Sequence, residues 1–153
     1  MEPRYFYHAS AHWSLHERGV VRAGEEIPET FTFSSPPEFG GQEGVWTPEH
    51  MLLAAVGSCF VATFRGVARA SKLEFHDIDV QVEGIIEKED GSLRFTKVIV
   101  RPEVRIVHEA DRVRTGLLLE KAERLCLITH SLSSAVVLQT RIEAQEPAPE
   151  LVV

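Results

Sequence analysis

Two cysteines, Cys59 and Cys126, carry the chemistry available to this chain of 153 residues. Each lies in an apolar stretch patterned as a helix, and neither has the close C-x-x-C spacing of a metal or thioredoxin-type site. A thiol so placed is a small hydrophobe or a nucleophile, and a second thiol able to meet it permits a redox pair. Helices in contact lie about 8–10 Å apart on axis and a disulfide needs Cα atoms within about 7 Å, so a meeting is allowed without being required. The inert alternative, two core cysteines, stays open, because free Cys is among the most buried residue types.

A cysteine that attacks must be a thiolate. Cys59 lies beyond the first turn of its helix, where the macrodipole no longer helps, and burial works against the anion. A cation must come from another element, and Arg keeps its charge when desolvated. Arg18 and Arg22, ahead of the helix, are the candidates. Arg65 and Arg69 share the helix but stand at neither i+3 nor i+4 from Cys59. Glu49, at the helix start, is the carboxylate that could orient such an arginine. Ten residues of helix, about 15 Å, separate it from Cys59. A compact site would therefore take Glu49 from a second copy with antiparallel long helices, which predicts a homodimer with two interfacial sites.

Around these residues the chain reads as α+β in one domain, 1–153. Strands and a breaker-rich loop occupy 1–46: Phe6 to Trp13, Gly19 to Gly24 and the alternating Glu29 to Ser34 precede Ser35 to Gly44. Thr47-Pro48-Glu49-His50 opens a central helix over 47–72, with Thr as N-cap and Pro in the first turn. A hairpin over 74–108 turns at Asp90-Gly91, and Pro102 is expected at an edge or bulge. A second helix over 109–132 places Val113, Leu117, Leu118, Ala122, Leu125, Cys126 and Thr129 on one stripe. A last strand covers 134–145 and a loose tail 146–153.

Bulk properties narrow the partners. A net charge of −7 argues against nucleic acid and against anionic membranes. The apolar run Met51 to Val56 is too short to span a bilayer. Met1 to Ser10 lack the pattern of a secretory leader, which predicts a reducing cytoplasm where a disulfide is transient. His8, His12 and His16 recur every fourth residue, but in a strand-and-turn segment that period does not align side chains, so no metal is expected. Dinucleotide, Walker and Gly-x-Ser-x-Gly motifs are absent, and no cofactor is expected.

The run Ser35-Pro36-Pro37-Glu38-Phe39-Gly40-Gly41, then Thr47 to Cys59 with its Pro-Glu start and Ala-Ala-x-Gly-Ser-Cys, resembles the OsmC/Ohr family of osmotically induced and organic-hydroperoxide-resistance proteins. Cys126-Leu127-Ile128-Thr129-His130-Ser131-Leu132 resembles its second motif. The family commonly has proline directly after that cysteine and asparagine further on; here Leu127 and His130 stand instead. The loop before the helix is closer to the broader OsmC-like branch than to the dedicated hydroperoxide enzymes.

The resemblance implies an OsmC-like fold, antiparallel sheets around two long central helices, in an intertwined dimer. It implies a thiol-dependent peroxidase of organic hydroperoxides, with Cys59 as peroxidatic thiolate, Cys126 as resolving thiol, Glu49 as the orienting acid and an external dithiol as reductant. Arg18 is its better match to the active-site arginine, with Arg22 the other. Phe60, Met51 and Leu53 are candidates for a preference for alkyl groups, beside their role in packing. Two other readings compete: a non-catalytic dimeric module for a small apolar ligand, and a redox sensor whose disulfide alters partner binding.

Overall fold

The computed structural model describes residues 1–15 and 18–145. His16 and the expected tail 146–153 lie outside them. The chain forms two compact units, Met1–Leu52 and the remainder from Leu53.

In the first unit, β1 (Ala9–Trp13), β2 (Gly19–Ala23) and β3 (Thr30–Phe33), the last strictly alternating polar and apolar, form an antiparallel sheet in the order β1-β2-β3. The loop after β3 returns to the sheet: Ser34 N–H donates to the Trp46 carbonyl at 2.9 Å. A 3-10 turn, Pro37–Phe39, ends at Gly40 with φ 82°, a left-handed position that suits glycine. Thr47, almost fully buried, caps the helix that follows by accepting the His50 N–H at 3.2 Å.

That helix, α1 (Pro48–Ala70), starts in the first unit and runs through the second. Val56, Phe60, Phe64, Val67 and Ala68 recur at helical spacing and form its buried face. They join Val98, Val100, Val104 and Ile106 of the sheet and Leu118, Leu119 and Ala122 of the second helix in one core. By length and composition α1 as a whole is apolar enough to cross a membrane, although the run Met51 to Val56 is not. A third of its most apolar window is buried within the chain.

The hairpin forms as its sequence predicts. β4 (Phe75–Glu89) and β5 (Ser92–Ile106) pair antiparallel, and both Asp90 and Gly91 have positive φ, the signature of a tight hairpin turn. The last strand is two, β6 (Ala135–Leu138) and β7 (Arg141–Ala144), both parallel to β5. The helical crossover between β5 and β6 dictates that direction. Pro102 is buried in the middle strand rather than at an edge. It sits between the stretches of β5 paired with β6 and with β7, where its missing donor leaves no bond unmade.

The expected second helix is in three pieces: a turn at Glu109–Asp111, α2 (Arg112–Leu125) and α3 (Leu127–His130). Cys126 has φ −66° and ψ 109°, an extended conformation, so it sits in the break and not within a helix. The inward stripe of α2 is Thr115, Leu118, Leu119 and Ala122, while Val113, Leu117 and Leu125 face outward. Both stripes have the helical period, and packing against the sheet selects between them.

Candidate active site

Three local events in the second unit bring the sulfurs together. α1 presents Cys59, half-buried, at the margin of its core face, where it follows the fully buried Val56 and precedes Phe60. The chain between α2 and α3 turns through Cys126, which is wholly buried. The short α3 then starts with Leu127 and Ile128, whose N–H groups have no acceptor within so short a helix. The two thiols are free, and they are near enough for each to act on the other's ionisation.

The same residue type acquires opposite tendencies at the two positions. Burial pushes Cys59 toward the neutral thiol, but hydrogen bonds outweigh it. These come from the Ile128 N–H, the Cys126 thiol, the Thr63 hydroxyl and the Leu127 N–H, and the net direction is down from an ordinary cysteine. Cys126 moves the other way. Its burial dominates, the Thr129 N–H and hydroxyl oppose it in part, and the neighbouring Cys59 raises it further as hydrogen-bond acceptor and as negative charge. One sulfur is thus set to ionise and the other to keep its proton and donate it.

Thr63 stands one turn after Cys59, with its hydroxyl on the Cys59 carbonyl at 2.8 Å and 4.0 Å from the sulfur. Thr129 is buried, and its hydroxyl donates to the Cys126 carbonyl at 3.1 Å. Sequence reasoning identified neither threonine as a site residue, nor the two amides. The i+4 spacing of Thr63 from Cys59 was a usable signal. For the amides the only signal was the family's proline after the second cysteine, which marks a first helical position. Leu127 takes that position and, unlike proline, has an N–H to give.

The other expected residues belong to the first unit. Glu49 is in the first turn of α1, and its Oε2 is buried without a hydrogen-bond partner among the described residues. Arg18 directly precedes β2, and its Nε–H donates to Gln42 Oε1 at 3.0 Å. Arg22 is within β2, exposed, in register with Thr30. Of the apolar candidates for substrate contact, Phe60 is fully buried in the core and Leu53 packs against it. The exposed apolar side chains that flank Cys126 in the chain are Leu125 and Leu127. His12 is within β1 with its ring on Ser14 at 3.0 Å.

Comparison with known proteins agrees with this architecture. A family model described as OsmC-like protein matches residues 40–141, which includes α1 and both cysteines. An uncharacterized protein of Bacillus subtilis strain 168, YmaD, is 31% identical over 144 residues, covering 91% of this chain and 93% of the relative. Among solved structures, an OsmC-like protein of unknown function from Vibrio cholerae superposes with a TM-score of 0.80 at 19% identity, covering 90% of this chain and 99% of the other. An organic hydroperoxide resistance protein from Elizabethkingia anophelis superposes with a TM-score of 0.73 at 19% identity, covering 95% and 100%. A family match over two thirds of the length, with the same fold in these structures, makes this chain a member of the OsmC-like family.

Proposed function

We propose that the chain is a two-cysteine, thiol-dependent peroxidase that reduces organic hydroperoxides. The observation that carries this reading is the pair of neighbouring thiols, each acting on the other, whose surroundings push their ionisation apart. The naming of structural neighbours as organic hydroperoxide resistance proteins supports the same class of chemistry.

In the proposed cycle the Cys59 thiolate attacks the outer oxygen of R–O–O–H. The O–O bond breaks, an S–O bond forms, and the alkoxide leaves with a proton as alcohol. Cys59 is now a sulfenic acid. The Cys126 sulfur displaces its hydroxyl, which leaves as water, and a Cys59–Cys126 disulfide forms. An external dithiol reduces that bond by exchange and leaves as its own disulfide. Leu125 and Leu127, exposed beside Cys126, favour an alkyl peroxide over hydrogen peroxide.

Arg18, with Glu49 orienting it, supplies the positive charge that steadies thiolate and leaving alkoxide. The buried Oε2 of Glu49 supports this, since a carboxylate oxygen without a donor is costly and a guanidinium satisfies it. Two copies of the chain form the working unit. The incompletely buried apolar α1 and the exposed aromatic residues Trp13, Phe31 and Trp46 support a homodimer. The reaction belongs to a reducing cytoplasm, where a dithiol is at hand.

Peroxide consumption with a small dithiol, comparing wild type with Cys59→Ser and Cys126→Ser, tests the scheme. Turnover is expected to vanish in Cys59→Ser, and a trappable sulfenic acid to accumulate in Cys126→Ser. Undiminished turnover in Cys59→Ser removes the reading. Oxidation to the disulfide without recycling by any dithiol would point instead to a sensor.

A further inference from the structure

We propose that Gln42 is the positioning residue for Arg18, holding the guanidinium by its Nε edge so that its two terminal nitrogens remain available for an anion. This rests on the role given to Arg18 above.

The segment from Ser34 to Gln42 is built as a bracket. Ser34 is 3% exposed, and its hydroxyl donates to the Ser35 carbonyl at 3.1 Å while accepting the Gln42 N–H at 3.0 Å. Gly40 and Gly41 donate to the Pro37 and Pro36 carbonyls, each at 3.0 Å. Main chain meets main chain so closely that a Cβ on Gly41 would stand 1.5 Å from the Ser35 oxygen, which only glycine allows. The backbone of Gln42 therefore has a fixed place, and its side-chain oxygen receives the Arg18 Nε–H at 3.0 Å.

On its other side Arg18 leads into a paired strand. It directly precedes Gly19, which is buried and pairs in register with Phe33, and a Cβ on Gly19 would come within 2.3 Å of the Phe33 ring. The Arg18–Gln42 contact thus joins the residue that leads into β2 to the fixed loop, 24 residues apart in the chain. Together with Trp13, Ser34, Ser35, Gly40 and Gly41 they line a pocket of about 260 Å³.

The kind of partner matters. An amide oxygen at position 42 orients the arginine without adding a second negative charge to that of Glu49, so the guanidinium keeps a hold on an anion. With Nε engaged, Nη1 and Nη2 have no hydrogen-bond or ion-pair partner among the described residues. That edge is the one that grips an oxyanion in two parallel bonds.

A double-mutant cycle with Gln42→Leu and Arg18→Ala tests this, read out as kcat/KM for an alkyl hydroperoxide and as the alkylation rate of Cys59 at neutral pH. Gln42 is exposed, and matched thermal unfolding temperatures are the expected sign that the variants keep the fold. Gln42→Leu is expected to lower both rates about tenfold in the wild-type background and to have no further effect in Arg18→Ala. A slow Arg18→Ala beside an unaffected Gln42→Leu would overturn the role of Gln42 and leave that of Arg18 intact. An unaffected Arg18→Ala would remove both. Equal losses from Gln42→Leu with and without Arg18 would assign Gln42 to structure alone and overturn the proposal.

Discussion

Two identical side chains acquire opposite ionisation tendencies from their surroundings. Cys59 collects donors, two of them main-chain amides, while Cys126 is enclosed and faces the charge that Cys59 develops. For Cys59 the folded pKa lies below the unfolded one, so its ionisation contributes stability above the unfolded value, and that contribution fades as pH falls through the folded value. For Cys126 the sign reverses: its contribution is present below the unfolded value and fades as pH rises. Alkylation with iodoacetamide, followed residue by residue by mass spectrometry, is expected to label Cys59 first, with a midpoint below the ordinary thiol value of about 8.5. Cys126→Ala, which removes a donor to Cys59, should shift that midpoint upward, whereas Cys126→Ser, which keeps a donor, should shift it less. Equal labelling of the two thiols would count against the assignment. The cysteines were legible in the sequence by type, but their donors were not, because an amide N–H carries no side-chain signature.

The element that decides the site is the break between α2 and α3. A continuous helix through Cys126 would consume the Leu127 and Ile128 amides in its own hydrogen bonds. The extended Cys126 instead leaves them for Cys59. This leads to a specific expectation for Leu127→Pro. The backbone of Cys126, at ψ 109°, suits a residue before proline, and proline is tolerated at a first helical position, so the variant should fold. It loses one N–H facing the sulfur, and the alkylation midpoint of Cys59 should rise while that of an unfolded reference stays put. No change would show that the Leu127 amide contributes nothing to the thiolate. The start of α1 at Thr47-Pro48 and the turn at Asp90-Gly91 were legible, because capping and turn chemistry are local. The break was not: Leu-Cys-Leu-Ile-Thr contains no Gly, Pro or Asn, and packing imposes it.

At the scale of the molecule, the chain leaves apolar surface that a compact monomer would hide. Phe31, Trp13 and Trp46 are exposed in the first unit, and Val113, Leu117 and Leu127 in the second. Sedimentation equilibrium is expected to return twice the mass of 17.1 kDa, and a monomer at micromolar concentration would contradict the homodimer. The core should carry the fold whatever the state of the thiols. Phe60, fully buried among α1, β5 and α2, should cost about 3–5 kcal/mol when replaced by Ala, measured as a lower urea midpoint.

Composition, the two motifs and their order along the chain were enough to name the class of fold and to single out both sulfurs. Local chemistry writes such features into neighbouring residues: a cap, a turn, a period of 3.6 or 2. The nearness of Cys59 to Cys126, the placing of the Leu127 and Ile128 amides beside Cys59, and the inward face of α2 required the folded chain. Each depends on residues far apart in the chain meeting around one core, and the phase of a helix against a sheet is a property of the packed pair rather than of either segment.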